Sequence, residues 1–183
     1  MTDRRALPRV RLRALTPDDL PTHSRGCDAL VVHWTGGGHV STDEEHLAWL
    51  VRNERAWAEG HPVVDLAVED ARTGEHVGVV GIQRGLPYLR PGEVNLTYTL
   101  YSGRRGHGYA TAAVLEAVRV ALGGPRVVRF LIRCDSDNVA SGAVARRAGF
   151  RYVGSVTEPD GWTGDRYVRD APDGILDAEV GRA

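Results

Sequence analysis

Lysine is missing from this chain: histidine aside, all 23 basic side chains are arginines. That excludes a phosphate-loop lysine, a pyridoxal Schiff base and a lysine general base, because each needs an amine that a guanidinium cannot replace. Cysteine is scarce as well. Cys27 and Cys134 lie far apart and form no CxxC, so they read as two buried thiols in a reducing compartment. The chain has no GK[ST] for a nucleotide-hydrolysing loop and no GxSxG nucleophile elbow. Among the seven histidines, His33, His39 and His46 have no zinc spacing, and EEHLAW lacks the second histidine of HExxH, so no metal is expected. No stretch approaches a membrane span, and MTDRRALPRVRLRAL has no apolar run of signal-peptide length, which makes a cytoplasmic location the expectation. An excess of either charge is also absent. The 23 basic and 24 acidic residues nearly cancel, leaving no overall field to draw the chain to nucleic acid or membrane.

What is present fits one domain over residues 1–170, followed by a tail over 171–183 that is expected to be mobile. RVRLRALT alternates like a half-buried strand, and PDDL after it suits the first turn of a helix. HWTGGGHV reads as a loop. Ser41 with Glu44 reads as a capping box that opens a helix through Glu59. VVDLAVED and HVGVVGIQRG flank the turn ARTGE, which predicts a hairpin. EVNLTYTLY alternates strictly, with Val94, Leu96, Tyr98 and Leu100 on one face and Glu93, Asn95, Thr97 and Thr99 on the other. An Ala/Val-rich helix runs from Ala110 to Ala121 and ends at Gly123-Gly124-Pro125. A strand over RVVRFLIRCD, a short helix closed by Gly149 and a last strand pair around Pro-Asp-Gly complete the chain. The predicted order is β-α-α-β-β-β-α-β-α-β-β, a mixed α+β fold.

Between the alternating strand and the Ala-rich helix lies YSGRRGHGYAT, which combines glycines and arginines where a helix begins. The first N–H groups of a helix have no intrahelical partners, and the macrodipole adds partial positive charge there. Glycines let a phosphate approach that backbone, and Arg104 and Arg105 can add charge-assisted hydrogen bonds. A dinucleotide fingerprint would want an acid about 20 positions beyond the glycines, where this chain has Val127-Val128.

These residues resemble the GNAT superfamily of acyl-CoA-dependent N-acyltransferases, in particular its RimJ/RimL-like branch of ribosomal-protein N-terminal acetyltransferases. The family's [QR]-x-x-G-x-[GA] loop is matched by Arg105-Gly106-His107-Gly108-Tyr109-Ala110 and continues as GYAT through Thr111. A second match is DNVASGAVARRAGF, with Asn138, Ser141, Gly149 and Phe150 in the branch's positions. The resemblance covers nearly the whole chain. It implies a seven-stranded, mostly antiparallel sheet with four main helices, whose fourth and fifth strands splay apart around acetyl-CoA. Tyr98, Thr99 and Leu100 would then bind the pantetheine and thioester through their backbone. The amides from Gly106 to Thr111 would hold the pyrophosphate, Asn138 would touch the pantetheine, and Ser141 would sit near the sulfur.

The implied reaction is attack of a primary amine on acetyl-CoA. It needs a proton acceptor for the amine, a donor to the leaving thiolate, and N–H groups on the developing oxyanion. The tyrosine acid that many superfamily members carry four residues before the GF glycine is Ala145 here, so Ser141 is the candidate donor. Glu93 and Asp160 are the candidate bases, with water as an alternative. Trp34, Asn95, Glu158 and Trp162 are candidate substrate contacts, with Asp165 and Tyr167 nearby in sequence, while Trp49 and Trp57 are assigned to the core. The expected partner is a primary amine, either a small molecule or a protein N-terminus, with a homodimer admitted as an assembly. A CoA-binding regulatory module without turnover is the non-enzymatic alternative.

Overall fold

The computed structural model describes residues 6–35 and 37–172. Most of the predicted tail lies outside the described residues. The elements run β1 (Val10–Ala14), a 3-10 turn (Pro17–Asp19), α1 (Leu20–Gly26), α2 (Ala29–Thr35), α3 (Asp43–Ala58), β2 (Val63–Asp70) and β3 (His76–Gln83). They continue with β4 (Glu93–Leu100), α4 (Tyr109–Leu122), β5 (Arg129–Cys134), α5 (Val139–Arg147), β6 (Arg151–Thr157) and β7 (Thr163–Asp170). All seven predicted strands form, and the helix count rises from four to five. The added helix is α2, which claims His33 and Trp34 from the predicted loop. Asp28 starts it by accepting the N–H of Val31 at 3.1 Å, and burial of Val31 seats it. The capping box of α3 also lies one residue later than predicted: the Thr42 hydroxyl accepts from the Glu45 N–H, and the Glu45 carboxylate accepts from the Thr42 N–H.

The strands join in one sheet of order β1-β2-β3-β4-β5-β7-β6. Every pair is antiparallel except β4 and β5, whose parallel arrangement requires the crossover that α4 supplies. On the face covered by α4 and α5, Val68, Val80, Leu96, Phe130 and Ile132 pack against the small residues Ala113, Val114 and Ala117. Alanines at helical spacing let α4 lie close to the sheet. On the opposite face Leu15, Leu50, Ala67, Val79 and Tyr101 form a second cluster under α1 and α3. The central strands are therefore covered on both sides.

The feature that positions the site is the short pairing of β4 with β5. It holds only at Glu93↔Arg129, Val94↔Phe130 and Asn95↔Leu131. Beyond Asn95 the two strands diverge, while β4 stays paired with β3 as far as Leu100. Val94 and Phe130, both fully buried, close the narrow end.

Candidate active site

Where β4 and β5 part, a cleft of about 1000 Å³ opens. Leu96 to Thr99 line it from β4, Arg133 to Asp135 from the end of β5, and Asn138 and Ser141 from α5. The helical side contributes His23, Trp34, Trp49 and Arg52, and the β6–β7 turn contributes Trp162. Trp49 packs against the cluster of Leu15 and Leu50 as expected and also walls the cleft, whereas Trp57 is 45% exposed and lies outside the core.

At one end stands the start of α4. Gly106 and Gly108 have φ of 79° and 89°, a conformation that side-chain-bearing residues rarely adopt, and Gly108 is the N-cap. The loop is exposed at Gly106 and His107. Among the described residues, no protein group accepts from the backbone N–H groups of residues 106–111. The two arginines of the loop pair with acids of the protein. Arg105 grips Asp28 with two bonds of 2.7 and 2.8 Å and also donates to the Leu100 carbonyl, tying the start of α2 to the end of β4. Arg104 pairs with Glu75. Tyr109 directs its hydroxyl to Asp70, and Ala110 and Thr111 form the first turn of α4.

On the α5 side of the cleft, Asn138 caps its helix by accepting from the Ser141 N–H at 3.0 Å. The Tyr98 hydroxyl donates to the Ser141 carbonyl at 2.9 Å and lies 2.8 Å from its hydroxyl. Burial pushes the Tyr98 phenol well above its usual range, so it stays protonated. Sequence reading assigned Tyr98 only a backbone role and missed this hydroxyl. The absent tyrosine on α5, where Ala145 stands, was the available signal.

The opposite side holds an acid that the sequence did not single out. Asp65, Gly81 and Thr97 stand abreast on β2, β3 and β4. A Cβ on Gly81 would come within 2.5 Å of the Asp65 carboxylate and 2.2 Å of the Thr97 hydroxyl, so glycine alone lets both side chains lean over the middle strand. Asp65 and Thr97 line the cleft. Asn53 of α3 accepts the Asp65 N–H, yet the Asp65 carboxylate has no hydrogen-bond or ionic partner among the described residues. Burial pushes it up to about 6.

The predicted acids lie elsewhere. Glu93 sits at the closed end of the strand pair, 6% exposed, accepting from the Arg90 N–H at 3.0 Å with Arg166 at 3.8 Å and Arg129 at 4.0 Å. It does not line the cleft, because the strands have not yet parted at its position. Glu158 is buried beside Arg166 at 3.2 Å. Asp160 accepts from Arg133 at 3.0 Å, and the Arg133 guanidinium lies over the rings of Tyr88 and Trp162, so this acid supports a wall without facing the cleft. Asn95 is buried and donates to Gln83, leaving its own carbonyl oxygen unpartnered. Asp165 is held by Ser136 and Ser155, and Tyr167 is in the core.

The sequence profile of the acetyltransferase (GNAT) domain matches residues 9–151. No curated protein matches the chain. Many solved structures share its fold, and three illustrate their range. The aminoglycoside acetyltransferase AAC(6')-Ib with coenzyme A and kanamycin is 20% identical, with a TM-score of 0.69, over 88% of this chain and 94% of that one. An acetyltransferase from Salmonella typhimurium that modifies the N-terminal serine of ribosomal protein L7/L12 is 21% identical, with a TM-score of 0.72, over 89% and 95%. The microcin C7 self-immunity acetyltransferase MccE, with acetyl-CoA and AMP, is 16% identical, with a TM-score of 0.73, over 89% and 93%. With the profile covering more than half of the chain and the splayed strand pair in place, this protein belongs to the GNAT acetyltransferase family.

Proposed function

We propose that the protein transfers an acetyl group from acetyl-CoA to the primary amine of a small, cationic molecule. The donor supplies a thioester whose carbonyl a neutral amine can attack. The residues present fit such a donor: the unpartnered amides of residues 106–111 suit its pyrophosphate, and the edge of β4 freed beyond Asn95 suits an extended pantetheine. Neighbours of the same fold are complexes with coenzyme A or acetyl-CoA, which supports this reading.

In the reaction so read, Asp65 draws the cationic amine toward Thr97; the ammonium loses one proton to solvent to become the neutral nucleophile, and Asp65 takes up the second proton, which the nitrogen sheds as the amide bond forms. Tyr98 and Ser141, hydrogen-bonded to each other on the far side of β4, return a proton to the departing sulfur. A β4 N–H facing the gap steadies the carbonyl oxygen. Trp34, Trp49 and Trp162 give the cleft apolar walls against which a compact amine can pack.

The observation that carries the small-molecule reading is the tryptophan-walled cleft with an unpaired carboxylate in its floor. Thiol release measured across a panel of aminated small molecules and N-terminal peptides tests it. Turnover with diamines, amino sugars or amino-acid derivatives is expected. Turnover confined to peptides would overturn the substrate class, and no thiol release with any amine would favour the regulatory module.

A further inference from the structure

Reading by spacing finds no zinc motif around His33, His39 and His46, but folding brings His46 together with two donors from outside that set. His23 and Cys27 are four apart, so the last turn of α1 and its C-cap put them on one helical face. Helix α3 brings His46 against them. One donor atom from each of the three lies within 4.8 Å of the others. Cys27 Sγ is 3.7 Å from His23 Nε2. Tetrahedral zinc, with Zn–S of about 2.3 Å and Zn–N of about 2.0 Å, holds sulfur and nitrogen about 3.5 Å apart. For this pair closing on an ion needs little movement, and His46, within the 4.8 Å bound, has to move in further.

The surroundings favour the same role. His23 stacks on Trp49 at 4.7 Å with 14° between the planes, and its Nδ1 lies 2.8 Å from the Tyr101 hydroxyl. An oxygen on the far ring nitrogen orients a ligating imidazole and leaves Nε2 for the metal. His46 meets the His23 ring edge-on at 4.8 Å. All three side chains line the helical half of the cleft, so an ion held among them keeps one position open to it.

We propose that His23, Cys27 and His46 form a three-donor site for a borderline-soft divalent cation, Zn²⁺ by its donor set, with a fourth position facing the amine half of the cleft. One thiolate and two imidazoles suit zinc and reject calcium or magnesium, which want oxygen donors. Metal and cationic amine then share one half of the cleft, so occupancy opposes amine binding. The site stands or falls independently of acetyl transfer.

The test is titration of the chelator-stripped full chain with ZnCl₂ by calorimetry and with CoCl₂ by absorption spectroscopy. One equivalent of zinc is expected to bind, and cobalt is expected to give a thiolate charge-transfer band that Cys27→Ser abolishes. Cys27→Ser and His46→Ala should each weaken zinc by more than the roughly 10- to 100-fold typical of losing an outer-shell partner. His33→Ala and His39→Ala, which remove the other imidazoles of the cleft, should leave the affinity unchanged. Circular dichroism confirms that each variant folds. If Cys27→Ser does not fold, zinc protection of Cys27 against alkylation in the unaltered chain takes its place. Lack of saturable binding, a cobalt band that persists in Cys27→Ser, weakening by His39→Ala equal to that by His46→Ala, or unprotected Cys27 would each overturn the site.

Discussion

Asp65 sets folding against function at a single position. Its carboxyl is pushed up to about 6, against about 3.9 for an aspartate in an unfolded chain. Between those values the folded state holds more protons than the unfolded state, so this group's contribution to stability falls as pH rises from about 4 to about 6 and is level above that. Asp65→Asn removes the ionised form from its half-buried site. The stability difference between the variant and the unaltered chain, measured by chemical denaturation, is expected to be small at pH 4 and to grow to about 3 kcal/mol in the variant's favour at pH 7. Activity should move the other way. As proton acceptor, Asp65 gives kcat/KM a limb that rises through about pH 6, and Asp65→Asn should lose that limb with roughly 100-fold or more of the rate. A variant no more stable at pH 7, or with an intact limb, would remove the carboxylate from this role. Across β4, Tyr98→Phe should lower kcat about 10- to 100-fold and leave the KM for acetyl-CoA unchanged, because the lost hydroxyl acts on the leaving sulfur. A matching rise in that KM would instead make Tyr98 a binding residue.

Helix α4 shows at the level of an element how much local sequence can specify. Its glycine loop, its Ala/Val stripe and its terminal glycine pair are visible as a pattern, and the helix runs from Tyr109 to Leu122 with Gly108 as cap. Helix α2 was not visible, since Trp34-Thr35 followed by three glycines looks like a loop. What makes it a helix is a cap at Asp28 and a buried Val31, and Asp28 is fixed by Arg105 from 77 positions away. The same bond engages an arginine of the phosphate-loop pattern with Asp28. The phosphate assignment itself rests on the amides and dipole of α4, and Ala110→Glu tests it. A carboxylate in the first helical turn is favourable to the helix by a few tenths of a kcal/mol, but it repels an anion at the same N–H groups. Because Ala110 also packs partly against the core, some loss of thermal stability is expected, but the folded variant should bind CoA on the order of 100-fold more weakly by calorimetry. Unaltered affinity would mean the pyrophosphate lies elsewhere.

At the scale of the whole molecule, the decisive feature is the point along β4 at which its pairing with β5 ends. Alternation in EVNLTYTLY gives the two faces of β4 correctly, which is why Thr97 and Tyr98 were both placed on strand surfaces from sequence. It does not reveal where a parallel partner, joined through a 14-residue helix, stops pairing. Glu93 therefore looked equivalent to a cleft residue, although it lies below the fork. Asp65 escaped notice for the converse reason, because only the lateral register from β2 through Gly81 to Thr97 brings it beside β4. The fork itself depends on a closed end. There Glu93 lies between Arg129 and Arg166, and Arg166 continues to the buried Glu158, linking β4, β5, β7 and the β6–β7 turn. Glu93→Ala leaves these guanidiniums facing each other without the shared carboxylate and orphans the Arg90 N–H. Separations of 3.8 to 4.0 Å and partial exposure of both arginines make the pairing weaker than a tight buried salt bridge. The expected loss of stability is accordingly about 2 to 3 kcal/mol by chemical denaturation, below the 3–5 kcal/mol of a fully buried broken pair. Glu93→Gln, which keeps an acceptor for Arg90, should lose less. Neither change touches the cleft, so kcat measured well below the melting transition should stay within about 2-fold of the unaltered enzyme. A 100-fold fall in kcat for a fully folded Glu93→Gln would put the proton acceptor back at the closed end of the fork and remove it from Asp65.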